Sequence, residues 1–284
     1  MNYTLEEVGY ISSPEIDQVL DLAHFLDKPV LIEGPSGTGK TSLALGVAKA
    51  LQRELIRIQC YEGISSTEII GEWNYHRQLI RIQLAAHQTQ EDQSVIEDVF
   101  SPDYFIMRPL MQAFTGTSGP AVLLIDEIDR SDEEFEAFLL EALGEKQLTI
   151  PELGTFQATR NILVFLTSNA TRDLSEALRR RCLFLFIDFP DSDREQQIVR
   201  LHSPDADERL INDVVAVVQA LRSPEVGLRK VPSIAETVDW SRTLLRLSPH
   251  PNRSQIQNSL GVLLKFRDDL EKAKEVIDKL ETSF

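Results

Sequence analysis

The sequence predicts an α/β fold: a parallel five-stranded sheet flanked by helices, followed by an all-helical C-terminal domain. Three observations carry this expectation. Short apolar runs alternate with helical patterns as far as residue 190, which implies parallel strands joined by right-handed crossovers. The glycine-rich turn GPSGTGKT joins the first of these runs to a helix. After DFPDSD (188–193) strand-like runs disappear and only a helical period remains.

The elements follow in order. Ser12-Ser13-Pro14-Glu15 opens a helical pattern at Ile16, Val19, Leu20 and Ala23, with Ser13 able to cap and Pro14 suited to the first helical position. PVLIE then reads as a buried strand, and Thr41 to Leu51 as the helix after the glycine turn. The remaining strands are ELIRIQC (54–60), AVLLID (121–126), NILVFLT (161–167) and CLFLFID (182–188). Helices are expected over Phe135 to Leu143 and Ser175 to Arg181. QLTIPELGTFQAT reads as a hairpin turning at Pro151 to Gly154. In the C-terminal part, Ile211, Val214, Val218 and Leu221 mark one helix. Ile256, Leu260, Leu263, Leu270, Ala273, Val276 and Leu280 form a stripe expected on one last helix, with Ser254-x-x-Gln257 as its capping box. The domains are therefore placed at 1–190 and 191–284, with an insert at about 66–90 and the hairpin at about 147–159.

Composition narrows the classes. A formal charge of −16 over 284 residues argues against a general duplex-DNA binder, which needs a basic face. MNYTLEEVGY lacks the pattern of a secretory signal, and no apolar run is long enough to span a bilayer, so a cytoplasmic location is expected. Asn2, Asn169 and Asn252 match a glycosylation pattern by chance on this reading. Cys60 and Cys182 form no pairing framework and read as small buried hydrophobes. The five histidines show no metal-ligand spacing.

The chemistry is expected at the carboxyl ends of the strands, where open α/β sheets bind ligands. Gly34, Pro35, Ser36, Gly37, Thr38, Gly39, Lys40 and Thr41 complete the G-x-x-x-x-G-K-[ST] phosphate loop between a strand and a helix. Its glycines turn backbone N–H groups toward phosphate oxygens, Lys40 suits the β- and γ-phosphates, and Thr41 suits Mg²⁺. The strand AVLLID ends in Asp126-Glu127. Asp126 is expected to hold Mg²⁺ through water, and Glu127 to polarise the attacking water. The strand ending Thr167-Ser168-Asn169 offers Asn169 to orient that water. Arg179, Arg180 and Arg181 end a short helix and supply positive charge suited to a transferring phosphoryl group.

In this order, GPSGTGKT, LLIDEID, LTSNA and ALRRRC resemble the AAA+ ATPases. The resemblance implies ATP and Mg²⁺ as cofactors, a helical lid, and a homo-oligomeric ring, usually a hexamer. It also implies an arginine finger acting in trans, at Arg181 first and Arg180 second. LIRIQCYEG, GEWNYHRQLIRIQ, RPLMQAF, KVPSIAETVDW and LGVLLKFRDDLEK are similar to the MoxR group and, within it, to CoxD-like proteins. That resemblance implies a chaperone-like ATPase acting with a von Willebrand factor A-type partner on a metalloenzyme client, a molybdenum hydroxylase of the carbon monoxide dehydrogenase type. Pro232-Ser233-Ile234-Ala235 stands where the group carries a lid arginine, and Ala170 stands where CoxD-like relatives carry Arg. Trp73 and Tyr75 either grip a client or pack the insert's own base. A switch or scaffold with little turnover, a nucleic-acid motor and a GTP-specific enzyme are the competing classes. The complete set of Glu127, Asn169 and arginines argues against the switch.

Overall fold

The computed structural model describes residues 4–86, 98–151 and 153–280. The insert's residues 87–90, Glu152 in the hairpin turn and Asn2 lie outside them. The chain forms two compact units, one of residues 14–33 and 47–185, the other of residues 4–13, 34–46 and 186 onward.

The first unit is built on a sheet of order β2-β5-β8-β1-β9. Its strands are β1 (Val30–Glu33), β2 (Glu54–Gln59), β5 (Ala121–Asp126), β8 (Ile162–Ser168) and β9 (Leu183–Phe186). The pairs β2–β5, β5–β8 and β8–β1 run parallel, with Gln59 opposite Asp126 and Glu33 opposite Ser168. β5 and β8 are buried along their whole length. That is why they read as continuous apolar runs with no alternation. β2 alternates, with Ile56 and Ile58 buried and Arg57 and Gln59 exposed. This is the pattern of a strand with one covered face, and it leaves two polar side chains to work beside β5.

Helices α1 (Pro14–Leu26), α2 (Lys40–Ala50), α3 (Ser66–Ile70), α4 (Tyr75–Ala86), α5 (Pro109–Thr115), α6 (Glu133–Glu145) and α7 (Glu176–Arg181) intervene in the chain, α2 as far as Gly46 belonging to the second unit. The short strands β3 (Gly71–Trp73) and β4 (Phe105–Met107) pair antiparallel. Trp73 lies edge-on to Phe100 and Phe105, each 5.4 Å away between ring centroids, so it packs the insert's base. Tyr75 stays exposed. β6 (Gln147–Ile150) and β7 (Gly154–Gln157) form a hairpin whose Gly154 has φ +87°.

The second unit contains α8 (Ser192–His202), α9 (Glu208–Arg222), α10 (Ile234–Leu247), α11 (Arg253–Ser259) and α12 (Arg267–Lys279). Its core gathers Val214, Val218, Trp240, Leu244, Ile256, Leu260 and Ala273. The single last helix expected from the stripe is in fact two. The stripe residues share one core, but the chain leaves the helix after Ser259, and Lys265 Nζ donates to the carbonyls of Gly261 and Val262. Gly261 weakens helix continuation there. The capping box is also shifted. Asn252 accepts from Gln255 N–H at 3.0 Å, and Gln255 Oε1 accepts from Asn252 N–H at 2.9 Å. Asn caps at least as well as Ser, so the earlier N-x-x-Q prevails over Ser254-x-x-Gln257.

Candidate nucleotide site

Two groups of site residues are formed, one in each unit. Asp126 closes β5 and is almost fully buried. Its carboxylate accepts from the Thr167 hydroxyl and from Arg57 Nη2, each at 2.5 Å. The same Thr167 oxygen accepts from the Glu127 N–H at 2.9 Å, so one hydroxyl on β8 fixes two consecutive acids. Glu127 then leaves the strand with φ 57° and ψ 50°, a left-handed conformation. Such backbone costs about 1–3 kcal/mol for a residue with a Cβ. Here it turns the Glu127 side chain back along the sheet edge.

Three donors hold that carboxylate. Gln59 Nε2 donates to Oε2 at 2.9 Å, Asn169 Nδ2 donates to Oε1 at 3.4 Å, and Arg130 Nε lies 3.1 Å from Oε2. Glu127 is thus brought together with Asn169. The contributions of Gln59, Arg57 and Thr167 are additions that the motifs did not supply. The signal for the first two is the alternation at the end of β2, where Arg57 and Gln59 alternate with the buried Ile56 and Ile58.

An open cleft of about 1010 Å³ is lined by Tyr61, Asp129, Arg130, Ser131, Thr171 and Arg172, among others. Burial alone would raise the Asp129 carboxyl, but the Thr171 hydroxyl at 2.6 Å and its N–H at 3.0 Å outweigh that and hold it below its ordinary value. Cys60 sits behind the acids. Burial, then the charges of Asp126, Asp129 and Glu127, push its thiol up to about 12.

The three arginines are held apart. Arg179 Nη2 lies 2.7 Å from Glu33 Oε1 at the end of β1. Arg181 Nη1 donates to the Leu140 carbonyl at 2.7 Å. Arg180 pairs along its own helix, with Glu176, and its side chain is 76% exposed. Repulsion within the triplet is relieved because each guanidinium points to a different oxygen.

In the second unit the phosphate loop follows β1 directly. Gly34, Gly37 and Gly39 have φ of 154°, 84° and 92°. A Cβ at Gly34 would lie 1.9 Å from the Ile187 carbonyl oxygen, and one at Gly37 would lie 2.3 Å from Ser233 Cβ. Thr38 Oγ1 donates to the Pro35 carbonyl at 3.0 Å, folding the turn on itself. Lys40 is buried, with Nζ donating to the carbonyls of Gly34 and Pro35 at 2.7 Å each. Lys40 and Thr41 open α2, so the loop also meets a helix N-terminus. Tight glycines, an ammonium and helix-terminal N–H groups form a donor set that fits phosphate. Among the described residues no group of three or more His, Cys, Asp or Glu side chains could hold a metal by itself. Thr41 and Asp126 each offer an oxygen ligand of the kind that suits Mg²⁺, one in each unit. Also among the described residues, no helix is long and apolar enough to cross a membrane.

Comparison with known proteins follows this geometry. The model of the AAA domain (dynein-related subfamily) matches residues 29–182, more than half of the chain. The gas vesicle ATPase GvpN1 of Halobacterium salinarum is 27% identical over 231 residues, which span 76% of this chain and 64% of that protein's length. GvpN of Haloferax mediterranei is 27% identical, with 82% of this chain and 70% of that one covered. Among solved structures, a point mutant of the RuvB protein of Thermotoga maritima superposes with a TM-score of 0.53 at 18% identity, covering 89% of this chain and 70% of its own. That likeness is one of fold.

Proposed function

The chain belongs to the AAA domain family, dynein-related subfamily, and from that premise we propose that it is an ATP-hydrolysing remodelling enzyme of the MoxR type. The observation that carries the reading is the prepared Glu127. Its carboxylate is held by Gln59, Asn169 and Arg130 beside the buried Asp126, in a chain with a complete phosphate loop. A switch that bound nucleotide without turnover would have no need of a carboxylate so oriented.

In this reading the loop residues 34–41 bind the triphosphate, with Lys40 on the β- and γ-phosphates. Thr41, and Asp126 through water, would hold Mg²⁺, which would supply positive charge to the phosphate oxygens. Glu127 orients a water and accepts its proton as the water oxygen bonds to the γ-phosphorus and the bond to the β-phosphate oxygen breaks, giving ADP and phosphate. Asn169 fixes the Glu127 carboxylate. The finger is Arg181 or Arg180 of a neighbouring subunit in a ring, expected to be a hexamer. To act, it must exchange the Leu140 carbonyl or Glu176 for a phosphate oxygen. Residues 1–190 serve as the nucleotide-binding core, with the insert at 66–90 and the hairpin at 147–159 facing a partner, and 191–284 as the lid.

For the client, the CoxD-like resemblance supports maturation of a molybdenum hydroxylase, with a von Willebrand factor A-type partner, in the cytoplasm. The similarity to gas vesicle ATPases favours a second client class, a component of the gas vesicle that those relatives' names mention. Nucleic acid does not suit a charge of −16. The test is Glu127→Gln. It should keep ATP binding while steady-state hydrolysis falls by about 10²–10⁴, the range for a general base, and the proteins that co-purify with it in ATP identify the client. Unchanged turnover would remove Glu127 from the mechanism.

A further inference from the structure

The second unit contains a buried ion pair that the proposed hydrolysis does not use. Glu195 in α8 is fully buried, and Arg222 at the end of α9 is 7% exposed at its side chain. They bond in a two-pronged pair, Nη1 to Oε2 at 2.7 Å and Nη2 to Oε1 at 2.8 Å. Gln219 Nε2 and the Thr237 hydroxyl give Glu195 two further hydrogen bonds, at 2.7 and 3.0 Å. The guanidinium stacks on Phe189, 4.4 Å from the ring centroid. Every oxygen lone pair of this carboxylate that geometry can serve is served.

Apolar side chains in place of such a pair are often as stabilising, so stability alone does not account for it. What the pair adds is direction. Beyond the pair, Arg222 Nη2 donates to the Thr237 hydroxyl at 3.3 Å, and Nε donates to the Pro232 carbonyl at 2.9 Å. The next two residues reach the phosphate loop. Ser233 caps α10 and closes a capping box with Glu236, its Cβ lying only 2.3 Å from where a Cβ on Gly37 would fall. The Ile234 N–H donates to the Gly37 carbonyl at 3.1 Å. In a planar trans peptide the C=O and the following N–H point opposite ways, so holding the Gly37 carbonyl sets the aim of the Thr38 N–H.

We propose that Arg222 and Glu195 are positioning residues for nucleotide binding, which fix the start of α10 against Gly37 and thereby the phosphate-binding face of the loop. The proposal rests on the reading that residues 34–41 seat a nucleotide. It gives the segment Pro232-Ser233-Ile234-Ala235, which carries no arginine, a backbone role at the loop. The arginine that matters lies ten residues earlier in sequence and acts through the Pro232 carbonyl.

The experiment titrates a fluorescent mant-ATP with Mg²⁺ into the full chain and its variants, alongside steady-state hydrolysis. Glu195→Gln and Arg222→Lys should each weaken binding about tenfold or more. The double variant should be little worse than the weaker single, because the two act as one device. At saturating ATP, kcat should stay within about threefold, a split that marks lost binding and not lost chemistry. Ile234 supplies an independent arm that leaves the buried charges intact. Pro is well tolerated at the first position of a helix, so Ile234→Pro removes the N–H that reaches Gly37, while Ile234→Ala keeps it. Ile234→Pro should bind the probe about tenfold more weakly than Ile234→Ala, by the loss of one hydrogen bond in a buried setting. Equal binding by these two variants, or wild-type affinity in folded Glu195→Gln and Arg222→Lys, would overturn the proposal. Failure of the wild type to bind the probe would instead overturn the nucleotide reading on which it stands.

Discussion

Thr167 shows how much one hydroxyl can organise. It donates to Asp126 and accepts from the Glu127 N–H, while Asn169, two residues on, reaches Glu127 itself. The sequence shows a polar end to this strand, but which of its side chains touches which acid depends on the β5–β8 register, which is long-range. Gln59 was hidden for the same reason: it meets Glu127 only because β2 lies beside β5. Thr167→Val keeps the shape and removes both bonds. It should destabilise the protein by about 1–3 kcal/mol, read by denaturant titration, and lower turnover at unchanged assembly. The thiols give a second test at this scale. Cys60 is buried, whereas Cys182 is only partly so, and burial pushes the Cys60 thiol up to about 12, so Cys60 should resist alkylation at pH 8 in the native protein and react once unfolded. Reaction in the folded state at the rate of a free thiol would contradict the burial. Asp129 gives a third. Its folded-state value is lowered, so its stabilising contribution is complete above the ordinary carboxyl range and lost as pH falls through the lowered value. Thr171→Val should therefore reduce stability at neutral pH more than in acid, where the carboxyl is protonated in both variants.

Among the elements, local signals are legible where they are self-contained. Buried parallel strands, the glycine turn and the β6–β7 hairpin all follow from residues within a few positions of one another. The last helices were harder, because a shared apolar stripe looks the same whether one helix or two supply it. Ile256 and Leu260 pack with Ala273 in one core although a break separates them. Choosing between two capping boxes two residues apart required the geometry. The correction can be checked by stability: Asn252→Ala should cost about 0.5–2 kcal/mol as a lost cap, whereas Ser254→Ala should stay within about 0.5 kcal/mol. The reverse order would restore the box at Ser254. Arg180 and Arg181 differ in the same way. Nothing in RRR separates them, yet α7 turns Arg181 onto the Leu140 carbonyl and leaves Arg180 largely in solvent. Comparing Arg180→Ala with Arg181→Ala in hydrolysis, each mixed with Lys40→Ala subunits, should show recovery only for the residue that acts across an interface.

Across the whole molecule, the site groups fall in two units. The acids, Gln59 and Asn169 belong to the sheet, while the phosphate loop belongs with the helical part and the N-terminal stretch. The motif order in sequence announced the ingredients, since each motif is short and its chemistry is carried by residue type. It could not announce that Gly37 would rest against the cap of α10, because that contact joins residues almost two hundred positions apart. The proposed hydrolysis requires a triphosphate seated at residues 34–41. Its most direct test is calorimetric titration of Mg-ATP into the Glu127→Gln protein and into Lys40→Ala/Glu127→Gln. Saturable binding in the first, weakened by about a hundredfold or more in the second (about 2.7 kcal/mol), is the predicted result. Equal affinity in the two proteins, or no heat in either, would contradict it.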